Sequence, residues 1–331
     1  MRYFFIFIIP LFIISCKQEP EVYQKLQGNA FGTTFDIIYE DSENRDFSKS
    51  IDSLIYVVNK SISTYVYTSD ISKINRGDST IVIDEMFVEV FKKSNRIFNE
   101  TEGLFDPTVG ILVNAWGFGP EKAIENLDSI KINQLMKFVG FDKVKLQNRK
   151  IIKGDPKIYF DFNAIGKGYG VDVIGRFIES KNCANYRIEL GGEIRTKGVD
   201  PNGKFWRIWL EEPNTDGTRT INKYVLLENE SMASSGNYRK FKIDANGNKY
   251  VHTINTKTGM AIESTLLAAT VISKVDCADV DGYATAFMAM GFEKTIEFLK
   301  LQPELKVYLI YVNKSGEIET YKTKGLLITD R

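Results

Sequence analysis

Apolar residues change their spacing repeatedly along this chain, from alternate positions to helical spacing and back, with no linker between the changes. A chain patterned this way must pack helices on sheets, because each apolar stripe or face needs a covering layer. Residues 32–39 (GTTFDIIY) alternate as a strand does, and residues 47–62 carry Ile51, Leu54, Ile55 and Val58 at helical spacing. A second helix is expected over 84–101 with Asp84 as its N-cap, and a third, short one over 130–139. Residues 144–160 hold two short strands around a turn. A helix over 166–179 precedes strands at 186–190, 206–211, 249–254 and 267–273. Helices over 278–290 and 293–301 are broken at Gly291, and a hairpin over 307–312 and 318–321 turns at 313–316. No repeat or low-complexity block divides the 331 residues. That length suits two lobes or one large domain.

The N-terminal residues carry an address rather than structure. Arg2 precedes an apolar run over 4–14, broken only by Pro10, which is too short for a mature membrane span but suits a signal peptide. The run stops at Ile13-Ile14-Ser15-Cys16. An ordinary secretory signal with an incidental cysteine would also fit. The cysteine's position where the apolar run ends favours a lipoprotein signal over 1–15, with Cys16 lipidated. Residues 16–27 then read as a polar tether, and residues 28–331 as the working domain. The expectation is an exported protein, lipid-anchored to a bacterial inner or outer membrane and facing the periplasm. Lys and Arg balance Asp and Glu at 43 each, so composition gives no support for a nucleic-acid partner. Cys183 and Cys277 could pair in an oxidising compartment, although two buried thiols are favoured. No CxxC or Cys/His cluster suggests structural zinc.

Three segments carry chemistry. On a helix from Ala278, Asp281 and Thr285 lie one turn apart on one face. A carboxylate and a hydroxyl there offer hard oxygen ligands of the kind magnesium accepts. The same spacing also fits an acidic first turn and a threonine bonded to its own helix. NAIGKGY (residues 163–169) opens a helix with Lys167 between glycines, which suits a phosphate, or a plain strand-to-helix turn. It has neither Walker nor Rossmann spacing. His252, the only histidine, precedes a polar turn and has the one side chain whose unperturbed pKa lies near neutrality. It is a candidate proton acceptor or a structural residue. Ser234–Gly236 and Gly191–Gly192 read as small-residue turns open to a ligand.

Eight segments in order make the chain similar to the ApbE family of FAD:protein FMN transferases, from about Phe31 to Gly291. FGTTF (31–35) resembles the family's MGTxY-type strand, with Phe31 where methionine is usual. STYVYTSDISKIN (63–75) follows, then GLFDPTVGILVNAWGFG (103–119), the most specific match, with Ile111 in place of a proline. DFNAIGKGYGVD, LGGEIRTKG, ASSGNYRKF, HTINTKTG and ADVDGYATAFMAMG complete the set.

The resemblance implies an α+β fold of mixed, largely antiparallel sheets with packed helices, T-fold-like. It implies magnesium held by Asp281, Thr285 and the Ala164 carbonyl. It places FAD against Phe31, Ser63, Tyr65, Ser69, Phe105, Asp106, Lys167 and His252. FMN would pass from FAD to a Thr or Ser hydroxyl of an exported or membrane flavoprotein, in an Ala-Thr type motif, releasing AMP. His252 is the candidate base, with Asp281 as the alternative. Two other outcomes remain: an FAD pyrophosphatase giving FMN and AMP, and a non-enzymatic lipid-anchored FAD-binding protein. DVDGYAT (279–285) loosely resembles an acceptor motif, but the helix and metal reading accounts for the same residues.

Overall fold

The computed structural model describes residues 23–213, 219–237, 241–243, 249–261 and 265–330. The expected signal peptide and Cys16 lie outside them. In chain order, β1 (Tyr23–Ala30) and β2 (Thr33–Glu40) lead into α1 (Ser48–Ile62), α2 (Asp70–Asn75), α3 (Glu85–Glu100), α4 (Gly110–Ala115) and α5 (Ser129–Met136). Next come β3 (Val144–Gln147), β4 (Lys150–Lys153), α6 (Asn163–Ser180), β5 (Tyr186–Leu190), β6 (Glu193–Lys197), β7 (Trp206–Pro213) and β8 (Arg219–Leu227). The chain continues through β9 (Ser231–Gly236), β10 (Phe241–Ile243), β11 (Lys249–Val251), β12 (Leu266–Ser273), α7 (Cys277–Met290) and α8 (Phe292–Leu299). It closes with β13 (Lys306–Val312), β14 (Ile318–Lys322) and β15 (Ile328–Asp330).

An eight-stranded sheet in the order β1-β2-β5-β6-β9-β12-β13-β14 forms the middle layer, with every neighbouring pair antiparallel. Helices α6 and α7 cover one face, and the three-stranded sheet β15-β8-β7 covers the other. Period-two geometry explains why the central strands are apolar on both faces. Along β13, Val307 and Leu309 enter the helix-side core, while Tyr308 and Ile310 enter the core under the small sheet. Ala233 and Met232 divide the same way along β9, as do Val271 and Ile272 along β12. The expected α+β class of mixed, largely antiparallel sheets is what the chain adopts.

Local signals placed several elements well. Asp84 caps α3, its carboxylate accepting from Phe87 N at 2.8 Å. The turn between β3 and β4 is Asn148-Arg149, both at positive φ, which matches the twist of a tight hairpin.

Other boundaries differ from the sequence reading. β1 begins at Tyr23, so residues 23–27 belong to the sheet and not to a tether. β1 is an edge strand with one side solvated, so its Gln and Lys residues imitate a linker while Leu26 packs on the core. Helix α6 begins at Asn163, three residues earlier than expected, after Asp161 Oδ1 has accepted the Asn163 amide at 2.7 Å. Ser234–Gly236 is not a turn but the end of β9, where Ser234 Oγ meets Thr270 Oγ1 of β12 at 2.9 Å. Cys183 and Cys277 are separate buried thiols. No helix of the described residues is long and apolar enough to cross a membrane.

Candidate active site

Helix α7 is held in place from α6. Asp172, fully buried, accepts from Cys277 N at 2.9 Å and Ala278 N at 2.8 Å, two of the amides left open at a helix start. Arg195 donates to the same carboxylate at 2.7 Å. Burial and the nearby Asp276 charge push Asp172 up to about 6, while these donors pull it back. One turn earlier on α6, Gly168 N donates to Asp281 Oδ2 at 3.0 Å. Three backbone-to-carboxylate hydrogen bonds thus set the register between the helices.

At one end of the large sheet the turns Phe31-Gly32 and Gly191-Gly192 and the end of β9 border a cavity of about 1200 Å³. Its wall gathers Asp281, Thr285, Ala164 and Lys167 from α7 and α6, and His252 from the end of β11. Phe31, Ser63, Tyr65, Phe105 and Asp106 line it as well. The residues that the motifs singled out across more than two hundred positions of sequence therefore line one cavity, with one exception.

That exception is Ser69. It is fully buried and caps α2, accepting from Ser72 N at 3.2 Å and donating to the Ser63 carbonyl at 2.7 Å. Its side chain is consumed by the backbone, so it shapes the Ser63 corner without facing the cavity.

Asp281 is 3% exposed. Burial raises its pKa, and Lys167 and the Gly168 amide oppose that rise. Among the described residues its Oδ1 receives no hydrogen bond. Thr285 Oγ1 lies 3.3 Å from Ser235 Oγ of β9. Lys167 is ion-paired with Glu193. Burial opposes the lysine charge, but Glu193 and Asp281 together hold its pKa above the usual lysine range. Among the described residues no group of three or more His, Cys, Asp or Glu is placed to cage a metal. The donors at α7 are instead one carboxylate and one hydroxyl, with the Ala164 carbonyl's residue on the same wall, the sparse oxygen set that suits magnesium with waters and phosphates.

The remaining walls are fixed by backbone. Phe31 sits at φ +51°, in the left-handed region, ahead of Gly32 at φ +76°. That geometry is costly for a bulky residue and turns its ring onto α6, where only Gly170 leaves room. Asp106 accepts from Thr108 N, Thr108 Oγ1 and Phe141 N at 2.8, 2.6 and 3.3 Å. Burial still leaves its pKa raised. Behind His252, Asn255 Oδ1 accepts from Lys257 N and Thr258 N, closing a turn. Thr256 Oγ1 donates to Gly103 O and Trp116 Nε1 to Gly259 O, at 2.5 and 2.9 Å. These bonds tie HTINTKTG to GLFDPTVGILVNAWGFG. DVDGYAT lies within α7, buried up to Ala284, and its Thr285 faces the cavity beside Ser235.

Sequence reasoning passed over Asp161, Glu193 and Ser235 as individual residues. Asp161 is buried, lines the cavity, and has its pKa raised by burial. Glu193 opens the polar strand β6, EIRTK, so nothing in its local sequence marked it as buried.

The ApbE family model matches residues 31–309. The chain belongs to the ApbE family. It is 35% identical to the FAD:protein FMN transferase of Haemophilus influenzae, over 92% of this chain and 91% of that one. It is 33% identical to the Vibrio cholerae FAD:protein FMN transferase, over 89% of each. The solved flavin transferase ApbE from Vibrio cholerae superposes with a TM-score of 0.82 at 32% identity, covering 92% of this chain and 98% of that one. The family match therefore reaches into β13, beyond the motifs that end near Gly291.

Proposed function

We propose that this protein transfers FMN from FAD to a Thr or Ser hydroxyl of an exported or membrane flavoprotein, with magnesium, and releases AMP. The observation that carries the reading is the cavity itself: in an ApbE-family chain, one wall joins Asp281, Thr285, Ala164 and Lys167. The open Asp281 oxygen and the Thr285 hydroxyl beside it fit a cation that keeps most of its sphere for water and phosphate. When bound, magnesium would offset the charge on the pyrophosphate oxygens.

The protein's own groups have separate tasks. Lys167 and the opening turn of α6 face the phosphates, where a cation and helix amides favour anions. Phe105, lying against α7 at Gly282, and Phe31 supply apolar walls for rings. His252, on the cavity lining, would take the acceptor proton as the acceptor oxygen bonds to the FMN phosphorus. The anhydride P–O bond breaks and AMP carries away the electron pair. Incubation with FAD, magnesium and a threonine-containing acceptor peptide tests the reading. Flavin fluorescence on the peptide supports it, and free FMN without labelled peptide would mean a pyrophosphatase.

His252→Asn should leave FAD affinity within about threefold and slow single-turnover transfer by about a hundred- to ten-thousandfold, the usual cost of losing a general base. Flavin fluorescence titration and rapid-quench transfer measure the two separately. Weak FAD binding with a normal rate at saturation would make His252 a packing residue.

Export and anchoring belong to the same proposal. Cys16→Ser should move the protein from the membrane fraction to the soluble fraction or leave it unprocessed, as seen by fractionation and mass. A variant that matures and sediments like wild type would remove the lipid anchor.

A further inference from the structure

Glu193 stands behind Lys167 and is 1% exposed. Lys167 is its ion-pair partner, and its second oxygen, Oε2, is buried with no hydrogen bond. Such a carboxylate is expensive to keep, and an apolar residue would serve packing better. The reason lies in the three charges grouped there. Burial raises both carboxylates, Glu193 to about 7, and Lys167 opposes both rises, while the two carboxylates together hold Lys167 charged; at pH 8 Glu193 is mostly ionised. A lysine is a point charge on a flexible stem and will settle on whichever carboxylate attracts it more. Were Glu193 neutral, Asp281 would hold Lys167 alone, and its open oxygen would be lost to the ammonium.

We propose that Glu193 is a positioning residue that draws Lys167 off Asp281 and leaves the cluster with one net negative charge, so that Asp281 is free to accept a divalent cation. With Glu193 the cluster carries two carboxylates against one ammonium; without it the charges cancel. This rests on the metal-assisted reading above. It differs from a merely structural role in one respect: the effect of removing Glu193 must disappear when Lys167 is removed too.

Manganese serves as the probe, its binding to the purified protein followed by EPR at pH 8 with saturating FAD. FAD occupancy is followed separately by flavin fluorescence, and folding by thermal melts. Glu193→Gln should weaken manganese binding about tenfold to a hundredfold, the effect of one unit charge placed a few ångströms away in a partly buried site. The double variant Lys167→Met with Glu193→Gln should return to within about threefold of wild type. Lys167→Met alone should bind manganese at least as tightly as wild type, which keeps the test alive if the single glutamine variant does not fold. Unchanged binding by Glu193→Gln overturns the proposal, as does a double variant as weak as the single one or weaker binding by Lys167→Met. Absence of manganese binding by the FAD-loaded wild-type protein overturns the metal reading and the proposal with it.

Discussion

Asp281→Ala should lower FMN transfer by about a thousandfold or more while the protein stays folded. Offsetting the charge at a transferring phosphoryl group commonly contributes more to such catalysis than any other single effect. Asp281 supplies the only carboxylate that reaches the cavity from α7. The substitution removes one hydrogen bond, from Gly168 N, and the burial of one carboxylate. Alanine favours the helix, and the Asp172 cap on α7 remains. Stability should therefore change little, and circular dichroism with a thermal melt would check that. Thr285→Val removes a neutral hydroxyl of nearly the same shape and should cost less. Single-turnover transfer at saturating FAD, over a magnesium series, measures both. Wild-type turnover by Asp281→Ala after chelation would place the charge stabilisation elsewhere.

Gly168→Ala should destabilise the protein by about 1–3 kcal/mol, the usual range for overpacking, and impair transfer without touching a reacting group. A Cβ there would lie 2.7 Å from the Cys277 carbonyl carbon and 2.8 Å from the Ala278 Cα. Both are backbone atoms, so no side-chain rotation relieves the clash and the helices must separate. Separation pulls Asp281 from the Gly168 amide and from Lys167 together. For a chain of this size a melting point lower by about 3–10 °C is expected. Gly166→Ala is the control for stability. Its Cβ would meet only the end of Ile62 at 3.7 Å, so the melt should be unchanged or slightly higher. An unchanged melt and full activity for Gly168→Ala would show that the crossing yields more easily than its geometry implies.

Elements whose own periodicity was strong were legible in advance. Helices α1 and α3 bury one stripe, and β5 buries alternate residues, so their patterns survive in any tertiary setting. The misread segments were those whose partners decide their state. β9 is rich in serine and looks like a turn, yet its hydroxyls find Thr270 on β12 and Thr285 on α7. β1 reads as solvated chain because half of an edge strand is solvated.

The candidate site divides along the same line. Short-range order in the sequence determined which residue types would serve: Asp281 and Thr285 share a helix face whatever surrounds them, and Lys167 stands in the opening turns of its own helix. The motifs also carried the family, because they record backbone requirements, a local one at Gly32 and a helix crossing at Gly168. Only the tertiary structure decided which of these residues meet. It turned the Ser69 hydroxyl onto the Ser63 carbonyl, so that Ser69 shapes that corner from behind, and it brought in Glu193, distant in sequence from Lys167, as its counter-ion. The physical reason is range. Periodicity and capping act within about a turn or a strand. Ion pairing and burial depend on which surfaces pack together, and for this chain α6 crossing α7 over the sheet settles that.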